Sequence, residues 1–236
     1  MRASAHVGAR AFVVGLCSLV VAPGLWAEEP APDPRAPAIE RIGEEHYQIG
    51  AIEVDRANNR FTVPGAVIEL GSPEDALEFV AVARNSFKDY EALLRLDTDA
   101  VGFNLACILI GLEADPSLQP SMHFDPRPID GQRVAVWVTW TSEGGEERRS
   151  AGELLRGDSA SPPTEDWVYT GSIFTPDGQF LAQFTGVLIS FVHDPDSIIH
   201  HRTGLGLGHY GAIRLNPDVV PPGGTPIRLI VERLAE

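Results

Sequence analysis

Cysteine is nearly absent from this 236-residue chain, which has only Cys17 and Cys107. Cys17 lies in an apolar run expected to be cut away, so a mature chain keeps one thiol and forms no internal disulfide. Stability must then come from a hydrophobic core, and about 190 ordered residues suffice to build one. Cys107 sits in the apolar stretch NLACILIGL with no cation beside it, and is expected to be buried and inert. Basic residues are scarce too. Without residues 1–27, 16 Lys and Arg face 33 Asp and Glu, a net charge of −17. Such a surface repels phosphate backbones and anionic lipid, which argues against nucleic-acid and membrane-surface partners. Apolar runs at 11–22 and 101–112 fall short of the roughly 20 residues a membrane-spanning helix needs. No integral span is therefore expected after signal cleavage. A nucleophile signature is also missing: Ser121, near His123 and Asp125 in PSMHFDPRP, lacks the G-x-S-x-G elbow.

What is present begins with a secretory layout. Arg2 and Arg10 precede the apolar run, and Pro23, Gly24 and Ala27 follow it. Residues 1–27 are thus expected to be a signal peptide, giving a periplasmic or secreted protein. Residues 28–45 open with EEPAPDPRAP and read as a proline-rich acidic linker. Residues 46–236 read as a single domain.

In that domain YQIGAIEVD and FTVPGAVIEL alternate like strands around a turn at Asn58-Asn59. ALEFVAVAR and YEALLRL read as two more, and RVAVWVTW, GAIRL and IRLIVERL follow the same pattern. Pro176-Asp177-Gly178 marks a turn between two β-rich runs. DTDAVGFNLACILIGL is the one clear helix, capped near Asp97–Asp99 and ended at Gly111. Apolar nearly all round, it is expected to be a buried helix. The fold class expected is α+β: eight or nine mostly antiparallel strands packed on that helix.

Two candidate sites emerge. In SFVHDPDSIIHHRTGLGLGHYG, residues 190–211, His193, Asp194, His200, His201 and His209 would form a mixed N/O site for a divalent metal such as zinc if they converged. Ordinary helix punctuation also explains them: Asp194 as N-cap, Pro195 at the first position, His200 and His201 in the last turn, Gly204 after it. Adjacent residues of a helix point about 100° apart, which counts against one ion shared by His200 and His201. The GLGLG run at 204–208 precedes a strand rather than a helix, so it reads as a surface loop and not a phosphate loop. The second candidate is a ligand groove. Trp167 and Tyr169 share a strand face in DWVYTGS, Gly171 interrupts the strand before Ser172, and Glu91 could add a charge. Lys88 and Glu91 in NSFKDYEALLRLD form a possible proton-transfer pair, or simply a charged hairpin turn.

KDYEALLRLDTDAVGFNLACILIGL, DWVYTGSIFTPDGQFLAQFTGVLISFVHDPDSII and PPGGTPIRLIV together resemble the YdjY-domain family of bacterial exported proteins. The resemblance covers most of 50–232 and implies export and domain extent, without an activity. The family's pattern often has His-Glu where this chain has Tyr90-Glu91, so no role of that histidine carries over. It brings no histidine set at 200, 201 and 209 either. The function expected is a non-catalytic binding or assembly module with a protein or small ligand as partner and no cofactor. The alternative is a metal-dependent, hydrolytic site in the histidine cluster.

Overall fold

A computed structural model describes residues 37–72, 74–157, 165–207 and 212–235. The strands β1 (Ile39–Arg41), β2 (His46–Ile49), β3 (Ile52–Asp55), β4 (Arg60–Val67), β5 (Phe79–Ala83) and β6 (Ala92–Leu96) come first. Helix α1 (Ala100–Leu109) follows, then β7 (Gln132–Ser142), β8 (Gly145–Ser150), β9 (Leu155–Arg156) and β10 (Trp167–Tyr169). Last come the short helix α2 (Leu181–Thr185), β11 (Val187–Ser190), β12 (Ile199–His201), β13 (Arg214–Leu215) and β14 (Pro226–Arg233).

The main sheet runs β1-β2-β3-β4-β14-β7-β10-β12-β11-β5-β6, and β6 also pairs with β4. Eight strands, from β4 round to β6, therefore close into a barrel. The pairs β11–β12 and β5–β6 are parallel and the other pairs of the ring antiparallel. This corrects the α+β expectation of a mostly antiparallel sheet packed on a helix. Periodicity identifies strands but not their neighbours. β5 and β6, expected to turn back on each other, run side by side in parallel. The clue was burial on both faces: every residue of β5 and β11 is buried, the pattern of interior rather than half-exposed strands.

Residues paired across a ladder point to the same side. Following Phe61–Val231, Val231–Val136, Trp167–Val134, Trp167–His201, Ile199–Ile189, Ile189–Ala81, Ala81–Leu94 and Leu94–Val67 circles the interior. All of these are buried, so the barrel is filled by side chains. Closure requires a close approach at Gly65, where a Cβ would lie 2.4 Å from the Arg95 carbonyl of β6.

Helix α1 begins as expected, with the Asp99 carboxylate accepting from the Gly102 N–H at 2.8 Å. It is half-buried rather than engulfed: Phe103, Ala106 and Cys107 face inward while Ile108 is exposed. Phe103 meets Phe61 edge-on at 5.2 Å, and Asn104 accepts from the Tyr169 hydroxyl at 2.9 Å. Those two partners are well separated round the ring, so α1 spans one mouth of the barrel. No described helix is long and apolar enough to cross a membrane. β1 lies within the stretch expected to be linker, and pairs with β2.

The chain at 113–131 forms a strap across the outside of β10 and β12. Its backbone N–H groups at Asp115, Phe124 and Ile129 donate to the carbonyls of Thr170, His193 and Arg202.

Candidate functional site

At one end of the barrel, β5 and β6 start side by side and antiparallel β11 ends beside β5. The residues just outside these three ends are Glu78, Glu91 and the segment His193-Asp194. The Glu78 N–H donates to the Glu91 carbonyl at 2.9 Å, fixing the two acidic residues together. The turn before β6 adds Lys88, and the strap adds His123. The turn after Asp194 adds Asp196, whose N–H donates to the Asp194 carboxylate at 2.9 Å.

His123 bridges two carboxylates, with Nε2 3.1 Å from Glu78 and Nδ1 3.2 Å from Asp194. The Lys88 ammonium stands 3.6 Å from the same Asp194 oxygen and 5.1 Å from the centre of the Phe79 ring. Glu78, Glu91 and Asp194 are buried and Asp196 is partly buried. Four carboxylates thus face two cations, a formal surplus of two negative charges, with the His123 side chain 36 % and that of Lys88 20 % exposed.

The protonation of the cluster follows from that surplus. Hydrogen bonds to Asp194 and then Glu78 raise the His123 imidazole to about 9, so it is charged at neutral pH. Burial opposes ionisation of Asp194, but His123, the Asp196 N–H and Lys88 outweigh it and hold the carboxyl below its usual range. Burial also works against the Lys88 charge, yet Asp194, Glu91, Asp196 and Glu78 together raise it. The unmatched members show the excess. Burial and then Asp194 push Asp196 up to about 6, while burial and then Glu78 raise Glu91.

Exposed apolar side chains neighbour the cluster residues along the chain. Phe184 on α2 is 67 % exposed and meets Phe87, beside Lys88, at 6.1 Å between ring centres. Tyr90, next to Glu91, is 65 % exposed, and Met122, next to His123, is also exposed. The Thr185 side chain, adjacent to Phe184, favours the charged form of Asp196, while its hydroxyl donates to the Leu181 carbonyl at 3.5 Å.

The expected sites fare differently. Trp167 and Tyr169 do share a strand face, but it is the barrel interior, at 0 % and 1 % exposure. They are core, not groove. The Trp167 indole N–H donates to Glu165 at 2.8 Å, and buried Ser172 accepts from the Ala182 N–H at the start of α2. Of the proposed groove, only Glu91 belongs to the polar cluster.

The described members of the histidine set do not converge. Asp194 turns the chain through hydrogen bonds to Asp196 and Ser197, but no helix follows, and His200 and His201 lie on β12. Strand alternation sends them to opposite faces. His201 points inside against Trp167 at 5.3 Å, and His200 lies outside under the strap, bonded to Gln119 at 3.0 Å. Both His193 nitrogens face carbonyl oxygens, of Asp125 at 2.5 Å and His201 at 3.0 Å. His209 lies outside the described residues. Among the described residues no group of three or more His, Cys, Asp or Glu is arranged to hold a metal.

Ser121 and Asp125 bond each other at 2.8 Å, while Arg127 fastens Asp125 and His123 turns away to the cluster. The pairing of His123 with Asp194 and Glu78 escaped the sequence reading because 71 residues separate His123 from Asp194. One signal was available: Lys88 is the chain's single lysine.

Residues 52–232 match the sequence model of the YdjY domain. No curated protein and no solved structure matches the chain.

Proposed function

The chain belongs to the YdjY-domain family, and from that footing we propose that it is an exported, non-catalytic binding domain that accepts a cationic ligand. The observation that carries this reading is the charge surplus: Glu78, Glu91, Asp194 and Asp196 against Lys88 and His123. Buried carboxylates without counter-charge are costly, and the cluster meets that cost by keeping Asp196 partly protonated near pH 6. An incoming ammonium or guanidinium supplies the missing charge. Phe87, Tyr90, Phe184 and Met122 give its apolar stem a surface to lie on.

The non-catalytic part rests on His123 and Lys88. Both nitrogens of His123 are engaged by carboxylates, which leaves it none to activate a nucleophile. Lys88 is held charged and so does not act as a base. Residues 1–27 support export, with the layout of a secretory signal.

The test is calorimetric titration at pH 7.5 with agmatine, which carries one guanidinium and one ammonium group, against neutral 1,4-butanediol. The reading expects saturable one-to-one binding of agmatine, weakened by added salt, and none of the diol. Absence of agmatine binding, or equal binding of both, removes it.

A further inference from the structure

We propose that residues 113–131 are a strap latched over the barrel wall by His123, and that a cation taking the place of His123 between Glu78 and Asp194 releases it. The release by a cation rests on the binding reading above; the latch rests on the strap itself.

The strap's ends are anchored by buried Leu112 and Ile129, and between them buried Pro120 and core-packed Phe124 are joined by side-chain polar contacts. Gln119 makes three of them. Its side-chain NH2 donates to the Thr170 hydroxyl at 2.7 Å and the Ser197 carbonyl at 3.3 Å. The second contact fixes the amide's orientation, because a carbonyl only accepts. The Gln119 oxygen therefore faces His200 Nε2 and takes its proton, leaving His200 Nδ1 with a bare lone pair. That Nδ1 has no hydrogen-bond partner, and neither has the Ser197 hydroxyl, though both residues are fully buried. Unmatched polar atoms held away from water favour any state that hydrates them.

The strap also carries backbone strain. Phe124 has φ +58°, a left-handed conformation that a bulky residue adopts at a cost. It is held there by its N–H to the His193 carbonyl at 2.8 Å and by the His193 ring on the Asp125 carbonyl. His123 is its immediate neighbour, with the two rings edge-on at 4.2 Å. Strain and dry polar atoms both favour opening, and the charged bridge of His123 to Glu78 and Asp194 opposes it. The groups facing His123 are Glu78 ahead of β5, Asp194 after β11, and beyond them Lys88, Glu91 and Asp196. A ligand cation competing for those carboxylates trades directly against the closed strap. Prolines 116, 120, 126 and 128 stiffen the segment, so it moves as a piece.

The fold carries its own reporters. His193 and His200 lie beneath the strap, whereas His201 is inside the barrel and becomes reachable only if the wall opens. Diethyl pyrocarbonate labelling at pH 7, mapped residue by residue, is followed for the wild-type chain, for His123→Gln, and for wild type with agmatine. In His123→Gln, His200 is expected to react about tenfold faster, with His201 unchanged. Saturating agmatine should accelerate His200 in the wild type likewise. Equal His200 rates in both chains overturn the latch, as does a rise shared with His201, which would report unfolding. Agmatine that binds calorimetrically while His200 stays protected overturns the exchange and leaves the binding reading standing. Agmatine that does not bind removes the binding reading and the exchange with it.

Discussion

His200 and His201 are consecutive in the chain yet occupy opposite sides of one barrel wall. The ring of His201 packs edge-on to Trp167 at 5.3 Å inside, and His200 donates to Gln119 at 3.0 Å outside. Burial, and then the neighbouring His193, lower His200 to about 3, and the opposing charge of Asp194 does not offset them.

That depression makes His200 a source of acid sensitivity. The unfolded chain binds a proton there below about 6.5, while the folded chain resists until about 3. Folding stability therefore falls as pH drops through that window. His200→Gln, which cannot take up the proton, is expected to lose less between pH 6.5 and 3, by about 2–4 kcal/mol. Denaturant melts of both chains across that range measure it.

His123 has the opposite sign. Its folded value of about 9 stands above the unfolded one, so its contribution is complete below about 6.5 and lost as pH rises through about 9. The side chain is 36 % exposed, and screening reduces the effect to about 1–2 kcal/mol. Wild type should lose that much more stability than His123→Gln between pH 7 and 10, read as the difference between their denaturation midpoints.

Asp196 is a charge the fold keeps at a cost. Its folded value, raised to about 6, means that ionisation at neutral pH destabilises the chain. Asp196→Asn should stabilise the ligand-free protein by about 1–2 kcal/mol at pH 7.5, with the gain gone below about pH 4. The same substitution should weaken agmatine about fivefold, equivalent to about 1 kcal/mol. Gain of stability with loss of binding marks a residue retained for function.

Barrel closure rests on Gly65, where a Cβ would come within 2.4 Å of the Arg95 carbonyl and 2.9 Å of the Leu96 side chain. Gly65→Ala should cost about 2–4 kcal/mol, because β4 must part from β6. Gly145→Ala serves as a comparison, since a Cβ there meets nothing within 4 Å and φ +118° is its only difficulty. Chemical denaturation of both variants gives the contrast.

The longer strands, the cap of α1 at Asp99 and the turn at Asn59 were legible because each is written in neighbouring residues, whereas β1 fell in the expected linker and β12 in the expected helical turn. Closure was not legible, since β4 meets β14 near the far end of the chain and meets β6 past the intervening β5, pairings that neighbouring residues do not encode. The aromatic pair Trp167 and Tyr169 shows the same limit: period-two spacing gave the shared face, but only closure decided that the face points inward. For the histidines the local signals favoured a helix of punctuating residues, and pairing with β10 and β11 overrode them. The polar cluster draws on the loop before β5, the turn before β6, the strap and the turn after β11. In the sequence it showed only as Lys88 near Glu91, as His123, and as Asp194 near Asp196.

The central claim is that the cluster takes a cation in exchange for protons held on its carboxylates, Asp196 foremost. Agmatine binding measured calorimetrically at pH 6, in two buffers of different ionisation enthalpy, tests it most directly. With Asp196 near half-protonated at that pH, binding should release roughly half a proton from it, and Asp196→Asn should abolish that release. Binding heats that agree in both buffers, or a release unchanged in Asp196→Asn, would contradict the account.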